Sequence, residues 1–482
     1  MKRILIILLV SLFVASNISD LSAAKSTSKP SKKTSPKKDD SAKFIKPSGG
    51  YQQVAGVIHL QTPVSGGKRT VNDYVDLARK SNIGVVCITD HDNQRYQYGL
   101  WPFRWLIKKT EERASVMTFG IANYLATINQ ANQSARDVMV IDGEEVTPYY
   151  YWTGSYFKDT LTLNNRHKHL LVLGLNQAKY YQDLPTIASG KSRFSQYDAI
   201  QTYEPYQDLI NYVIKNNGLI YWAHPDSKEH REMGGVKIHT LPYSEALEAT
   251  VNYTGFAVLG EGYQKTGIPG GIWDKTLMEF CAGRRARPAW AIGELDDIGD
   301  KDLGGVQTIF MLRTKSYQGV IEAMRTGKNY VVTRANNNPA MALTDFWIMA
   351  NNKVAYSGDL IGVSPKNAPT LYVKLASAGQ AEEPPPLKDK KGKPVPFSGT
   401  NRGKSKGTSA SGAGSAFKTM ATVKIISNGR LVQEYNQALP VEIKYIPDIT
   451  NLKPGQMTYY RLDIMDSNQG HLISNPIFVK AE

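Results

Sequence analysis

Apolar, strand-like runs in this chain repeatedly end on side chains that can hold a metal or move a proton. Residues 54–58 lead to His59, 85–89 to Asp90 and His91, and 138–143 to Glu144 and Glu145. Residues 219–223 lead to His224, and 288–293 to Glu294, Asp296 and Asp297. In a barrel of parallel strands the C-terminal ends share one mouth, so side chains far apart in sequence converge there. Imidazole and carboxylate together suit Zn, Mn or Fe. A carboxylate shared by two ions about 3.5–4 Å apart can serve to activate water and receive a phosphoryl oxygen. The pattern therefore predicts a site as well as a fold.

The elements that must position these residues are legible as a repeat. Residues 70–80 and 206–216 have helical periodicity and precede the apolar runs at 85 and 219, with Asn217 and Gly218 as a stop. Strand candidates fall at 54–59, 85–90, 138–143, 169–175, 219–224, 255–260 and 288–293. Alternation of the two types predicts an α/β parallel barrel over 48–335. The aromatic-rich stretch 100–136 reads as a long helical excursion over the mouth. From 340 the pattern changes to alternating strands at 371–375, 422–426, 431–435 and 459–464, with an Asn428-Gly429 turn. It predicts a separate all-β, sandwich-like domain over 340–482.

The ends and the insert are of another kind. Lys2 and Arg3 precede an apolar run at 4–14 and small residues at 22–24, which predicts a cleaved signal peptide over 1–24 and no transmembrane span after cleavage. Residues 25–47 read as a Lys/Ser/Pro-rich disordered tether, and 377–418 as a disordered insert between two strands. The tether has eight Lys against Asp39 and Asp40. The insert has seven Lys and Arg402 against Glu382, Glu383 and Asp389. Together with Lys2 and Arg3 these segments account for nearly all of the formal net charge of +15, so the body is close to neutral. That balance argues against a nucleic-acid groove. On the exported, periplasmic or secreted protein that the signal segment predicts, these basic segments could touch an anionic envelope surface. Cys87 and Cys281 sit in apolar or helical stretches and read as buried free thiols.

Taken in order, GVIHLQT at 56–62, ITDHD at 88–92, GEEVT at 143–147, HLLVLG at 169–174, AHP at 223–225 and DDI at 296–298 resemble the PHP (polymerase and histidinol phosphatase) metallohydrolases. SNPIFV at 474–479 is similar to the tail of the exported branch of that family. The resemblance implies a distorted (β/α)7 PHP-type barrel followed by a small sandwich-like domain. It implies His59, Gln61, Glu145, His169, His224 and Asp297 as metal ligands, with Glu145 bridging and Asp90 and His91 orienting the nucleophile or leaving group. His167 competes with His169, and Glu144 with Glu145; the second of each pair aligns with the motif. His169 is unusual in beginning its apolar run.

Departures from the family pattern limit the metal count. Gln61 stands where the family has a second His, Gly66 where it has Asp, and Gly299 where it has His. A trinuclear centre is therefore not expected. One or two divalent ions (Mn, Zn or Fe) are, with Glu145, His169 and His224 as the tighter site.

Two functions follow from this reading. The first is an exported metal-dependent hydrolase acting on a small-molecule or polymer phosphate ester. The alternative is a degenerate barrel that binds an envelope glycan or phosphorylated ligand without turnover. Arg284, Arg285 and Arg287, just ahead of the last strand run, are either a solvated helix end or a phosphate contact.

Overall fold

The computed structural model describes residues 50–200, 202–296, 302–334, 340–364, 368–377 and 418–482. The expected signal segment and tether, residues 378–417 of the expected insert, Asp297 and Gly299 lie outside them. Among the described residues no helix is long and apolar enough to cross a membrane.

A large mixed sheet organises the chain. Its first seven strands follow one another in space as in sequence: β1 (Gln52–Leu60), β2 (Val85–His91), β3 (Met139–Val146), β4 (Leu170–Leu173), β5 (Leu219–Trp222), β6 (Gly255–Leu259) and β7 (Trp290–Gly293). The pairs β1/β2, β2/β3, β5/β6 and β6/β7 are parallel. The sheet curls until the backbone N–H of Leu295, just past β7, donates to the carbonyl of Ile58 in β1 at 3.0 Å. On the other side of β1 the sheet continues antiparallel through β8 (Val306–Leu312) and β9 (Asn329–Thr333).

β4 departs from the all-parallel expectation, because it runs antiparallel to both β3 and β5. The reversal accounts for the odd place of His169. A residue that precedes an antiparallel strand lies at the same mouth as residues that end its parallel neighbours.

Helices close the outer face where the sequence says they should. The helix Val71–Lys80 starts with a reciprocal cap between Thr70 and Asp73 and buries Val71, Tyr74, Val75 and Ala78. Glu204–Lys215 opens with Pro205 in its first turn and buries Leu209, Ile210 and Val213.

The stretch 100–136 is only partly the helix expected. An antiparallel hairpin, Gln94–Gly99 with Lys108–Arg113, comes first, and the helices Val116–Phe119 and Ile121–Ser134 follow. Period-two aromatics decide the hairpin: the Tyr96 ring meets Tyr150 at 5.1 Å and the Tyr98 ring meets Trp152 at 5.2 Å.

The C-terminal strands share the same ladder. His471–Ser474 pairs with β9, and Met457–Asp466, Met420–Ser427 and Arg430–Ala438 extend the sheet beyond it. A four-stranded sheet of Met341–Ala350, Lys353–Tyr356, Thr370–Ser377 and Val441–Tyr445 packs Ile348, Val373 and Leu375 with Val423, Ile425, Leu462 and Ile464 of the larger one. Two polar contacts anchor this region to the first seven strands. Asn475 accepts from the Ala291 N–H at 2.8 Å and donates to the Ala291 carbonyl at 3.1 Å, standing in for a strand beside β7. Arg461 forms a two-pronged, fully buried ion pair with Asp274, both arms at 2.7 Å. Cys87 and Cys281 are free thiols, the first buried.

Candidate metal centre

Strand alternation decides which of the predicted residues reach the interior. In β3, Ile141 packs in the cluster enclosed by the sheet, whereas Val140 and Val146 pack against the helices outside. Glu145 has the parity of Ile141 and points inward, and Glu144 has the parity of Val140 and points outward. In β2, Val85 and Cys87 face inward, so His91 shares their side and Asp90 does not.

Two ligand candidates break this parity. By alternation with Ile58 and Ala223, both of which face inward, His59 and His224 would turn away. Each instead has a positive φ, 70° and 26° respectively, and at His59 the β1/β2 register also shifts. A β-branched or bulky residue rarely adopts such a conformation, and strain of this kind concentrates where a side chain must be re-aimed at a site.

Glu145 stands at the centre of the histidines thus assembled. Its Oε1 contacts His169 Nδ1 and lies 3.3 Å from His224 Nε2, and its Oε2 lies 3.1 Å from His59 Nε2 and 3.2 Å from His91 Nδ1. Three groups of ligand atoms, His59/Glu145/His224, His91/Glu145/His169 and His167/His169/His224, each fit within 4.8 Å. Two ligands 2.0–2.1 Å from one tetrahedral ion lie about 3.3 Å apart, close to several of these spacings. His59 Nε2 is buried and, although near Glu145, is out of line for a hydrogen bond. A nitrogen lone pair and a carboxylate facing each other without a bond fit a cation as their common partner.

Without an ion, Glu145 and the histidines His59 and His224 hold one another in charged form, so a metal would displace the protons on His59 and His224. Burial alone would raise the Glu145 carboxyl, yet His169, His91 and His59 hold it well below the usual carboxylate range. Burial likewise opposes a charged His59, but Glu145 and Asp296 lift it well above its ordinary value, and His224 is raised to about 8 by contacts with Glu145 and Glu294 that outweigh its burial. His91 is pushed down to about 4 and His167 to about 2, in both cases chiefly by burial. Neutral imidazole is the form that binds metal, so these two are ready as they stand.

Not every expected residue reaches the cavity. Asp90 is buried on the outer side, where its carboxylate accepts from Thr62 N–H at 2.7 Å, Thr62 Oγ1 at 2.8 Å and Ser65 Oγ at 2.6 Å. It anchors the loop after β1. Gln61 does face Glu145, with Nε2 2.9 Å from Oε2, and so meets the shared carboxylate as a donor. Glu144 is buried with one oxygen unbonded, and burial together with Asp92, Asp142 and Asp90 lifts its carboxyl far above the usual range.

Other residues at the site were missed or set aside by sequence reasoning. His167 joins the cluster, its ring stacked on His224 at 4.5 Å; its i, i+2 spacing from His169 was the available signal. Asp296 Oδ1 lies 3.8 Å from His59 Nε2 and lines the cavity. Glu294, outside the expected ligand set, lies 3.0 Å from His59 Nδ1. Tyr243 lies 2.9 Å from His224 Nδ1, and no sequence pattern marks it.

The cavity holds about 300 Å³ and is lined by Gln61, His91, Tyr96, Glu145, Arg166, His167 and His169, with the exposed Arg231 at its opening. Glu229 fixes the two arginines, Arg166 Nε at 3.1 Å and Arg231 Nε at 2.9 Å. Of the arginine cluster near 285, Arg285 is buried on Glu279 and on the carbonyls of Thr250, Leu247 and Glu248, which makes it a structural tie.

No protein-family model and no curated protein matches the chain. Among solved structures it is similar to a two-domain protein containing a predicted PHP-like metal-dependent phosphoesterase from Bacteroides vulgatus. That match has 8% identity and a TM-score of 0.37, and covers 90% of this chain and 96% of that one. A lesion-specific endonuclease from Pyrococcus furiosus matches at 11% identity and TM-score 0.32, over 57% of this chain and 56% of the other. An amidohydrolase from Chromobacterium violaceum, with bound sulfate and no metal, matches at 14% identity and TM-score 0.25, over 51% of this chain and 89% of that one.

Proposed function

We propose that the chain is an exported metal-dependent phosphoesterase built on a seven-stranded PHP-type barrel. One observation carries the reading: the two oxygens of Glu145 are each shared with two imidazoles, His169 and His224 on one side and His59 and His91 on the other. Such a set would hold one or two divalent ions, which supply Lewis acidity and a more acidic water. Asp297, which lies outside the described residues, is the remaining ligand that the family resemblance implies.

The chain's own residues would do the rest. Arg166 in the cavity lining and Arg231 at its opening, both held by Glu229, offer guanidinium forks to phosphate oxygens. Tyr96 and Gln94 line the cavity and limit the size of the leaving group.

Gln61 supports a second reading, a binding barrel without turnover, since it meets Glu145 as a donor. Elemental analysis, with hydrolysis of p-nitrophenyl phosphate and bis-p-nitrophenyl phosphate under added Mn or Zn, separates the two. One or two ions and metal-dependent turnover lost in His224→Ala establish the esterase. No tightly held metal and no turnover leave the binding barrel.

A further inference from the structure

Among the described residues, a dense group of exposed apolar side chains forms the tip of the hairpin Gln94–Gly99/Lys108–Arg113. Within seven residues Trp101 is 78% exposed, Phe103 52%, Trp105 74%, Leu106 64% and Ile107 46%. A soluble protein normally scatters such residues; five together mark a contact surface.

The tip is held in shape. Leu100 N–H donates to the Ile107 carbonyl at 2.8 Å, and Ile107 N–H to the Phe103 carbonyl at 2.8 Å. Gly99 N–H donates to Tyr197 Oη at 2.7 Å, and the Arg104 guanidinium lies 3.9 Å above the Tyr197 ring. Gly99 is required for this fold-back, because a Cβ there would come within 2.5 Å of the Arg104 carbonyl oxygen. The aromatic side chains are therefore presented by a fixed turn.

Charge surrounds them with one sign. Between residues 99 and 110 stand Arg104, Lys108 and Lys109 and no acidic residue. Lys108 and Lys109 are exposed at the first two positions of the return strand, and the first carboxylate after them in sequence, Glu111, is engaged by Arg113.

We propose that this tip inserts its aromatic and aliphatic side chains into the interface of an anionic phospholipid bilayer. Indole rings favour the headgroup level, aliphatic side chains favour the acyl boundary beneath it, and lysines at the base meet anionic headgroups. The run of exposed apolar side chains is seven residues long, well short of the about 20–30 residues a side that a stable protein interface uses, and a fluid surface needs no complementary shape. The six-residue strand from Gln94, which lines the cavity, spans about 20 Å to the tip, so docking holds the cavity close to the membrane plane. The inference does not depend on the metal reading.

The test uses the intact chain with unilamellar vesicles of phosphatidylcholine, with and without phosphatidylglycerol, in a co-sedimentation assay. Wild type should bind the anionic vesicles with a blue shift of tryptophan emission and quenching by a bilayer-embedded quencher. Trp101→Ser with Trp105→Ser should lose both signals and weaken binding at least about ten-fold. Lys108→Glu with Lys109→Glu should weaken binding by about five-fold per lysine on anionic vesicles alone. All substitutions are at exposed positions, so an unchanged melting temperature checks the fold. Binding equal to wild type in both double variants would assign any membrane contact to the basic N-terminal segment and overturn the proposal. Absence of wild-type binding, or a change in oligomeric state of the Trp variant without vesicle binding, overturns it as well.

Discussion

Glu294 Oε2 lies 3.0 Å from His59 Nδ1, and Glu294 Oε1 accepts the backbone N–H of His224 at 2.7 Å. One carboxylate thus supports both histidines whose backbones adopt positive φ. It fixes His59 with Nε2 towards Glu145 and stabilises the turn that re-aims His224.

Glu294→Gln should therefore lower metal affinity by about 10–100-fold while leaving the ligands themselves in place. Titration calorimetry with Zn or Mn on the variant and wild type checks this, with circular dichroism to confirm the fold. An affinity equal to wild type would mean that the strained turns hold without the carboxylate.

The role of Glu294 shows where the sequence was readable and where it was not. Strand parity was available in the sequence: it separates Glu145 from Glu144 and His91 from Asp90. Apolar runs ending on ligand types correctly located β1, β2, β3, β5 and β7. What parity cannot foresee is a positive φ, because the strain at His59 and His224 is maintained by tertiary contacts such as Glu294. Nor does local pattern foresee an antiparallel β4, since an apolar run four residues long has no direction. The hairpin at 94–113 was hidden for a related reason: its strands are chosen by Tyr150 and Trp152, some fifty residues away.

Gln61 gives a second prediction. Its Nε2 donates to Glu145 Oε2, an oxygen also close to His59 and His91. Gln61→His replaces that amide donor with an imidazole able to bind metal. Metal content per chain and phosphodiesterase rate should rise together if the natural centre is a weakened hydrolase. A rise in content with no change in rate would instead favour a barrel that binds.

The Asp463 carboxylate supplies a pH-dependent part of the stability. Burial would raise it, but His471 Nε2 at 2.8 Å, Arg461, and Tyr263 Oη at 2.8 Å together lower it from its ordinary value. A carboxyl depressed on folding stabilises fully above the unfolded value of about 3.9 and loses that contribution as pH falls through the lower folded value. The melting temperature of wild type should therefore exceed that of Asp463→Asn near neutrality. The gap should close only as the pH is taken below about 4. A gap independent of pH would assign the effect to hydrogen-bond geometry rather than charge.

Asp274 and Arg461 give the largest expected stability effect. Both side chains are fully buried, Asp274 also accepts from Tyr459 Oη at 2.7 Å, and the Arg461 guanidinium lies 4.7 Å from the Trp273 ring. Removing one partner leaves the other charge buried without compensation, so Asp274→Ala should cost about 3–5 kcal/mol. Replacing both, as Asp274→Leu with Arg461→Met, removes the desolvation cost along with the attraction and should recover most of that loss. Denaturant titration of the three variants distinguishes the cases. If the double variant is as unstable as Asp274→Ala, the hydrogen bonds to Tyr459 and to the Gly267 carbonyl, rather than the paired charges, hold the helix Ile272–Cys281 to the C-terminal strands. Because that helix leads into β7 and Glu294, the same variants should also show whether the C-terminal strands stiffen the metal centre: a matching fall in metal affinity is expected for Asp274→Ala and not for the double variant.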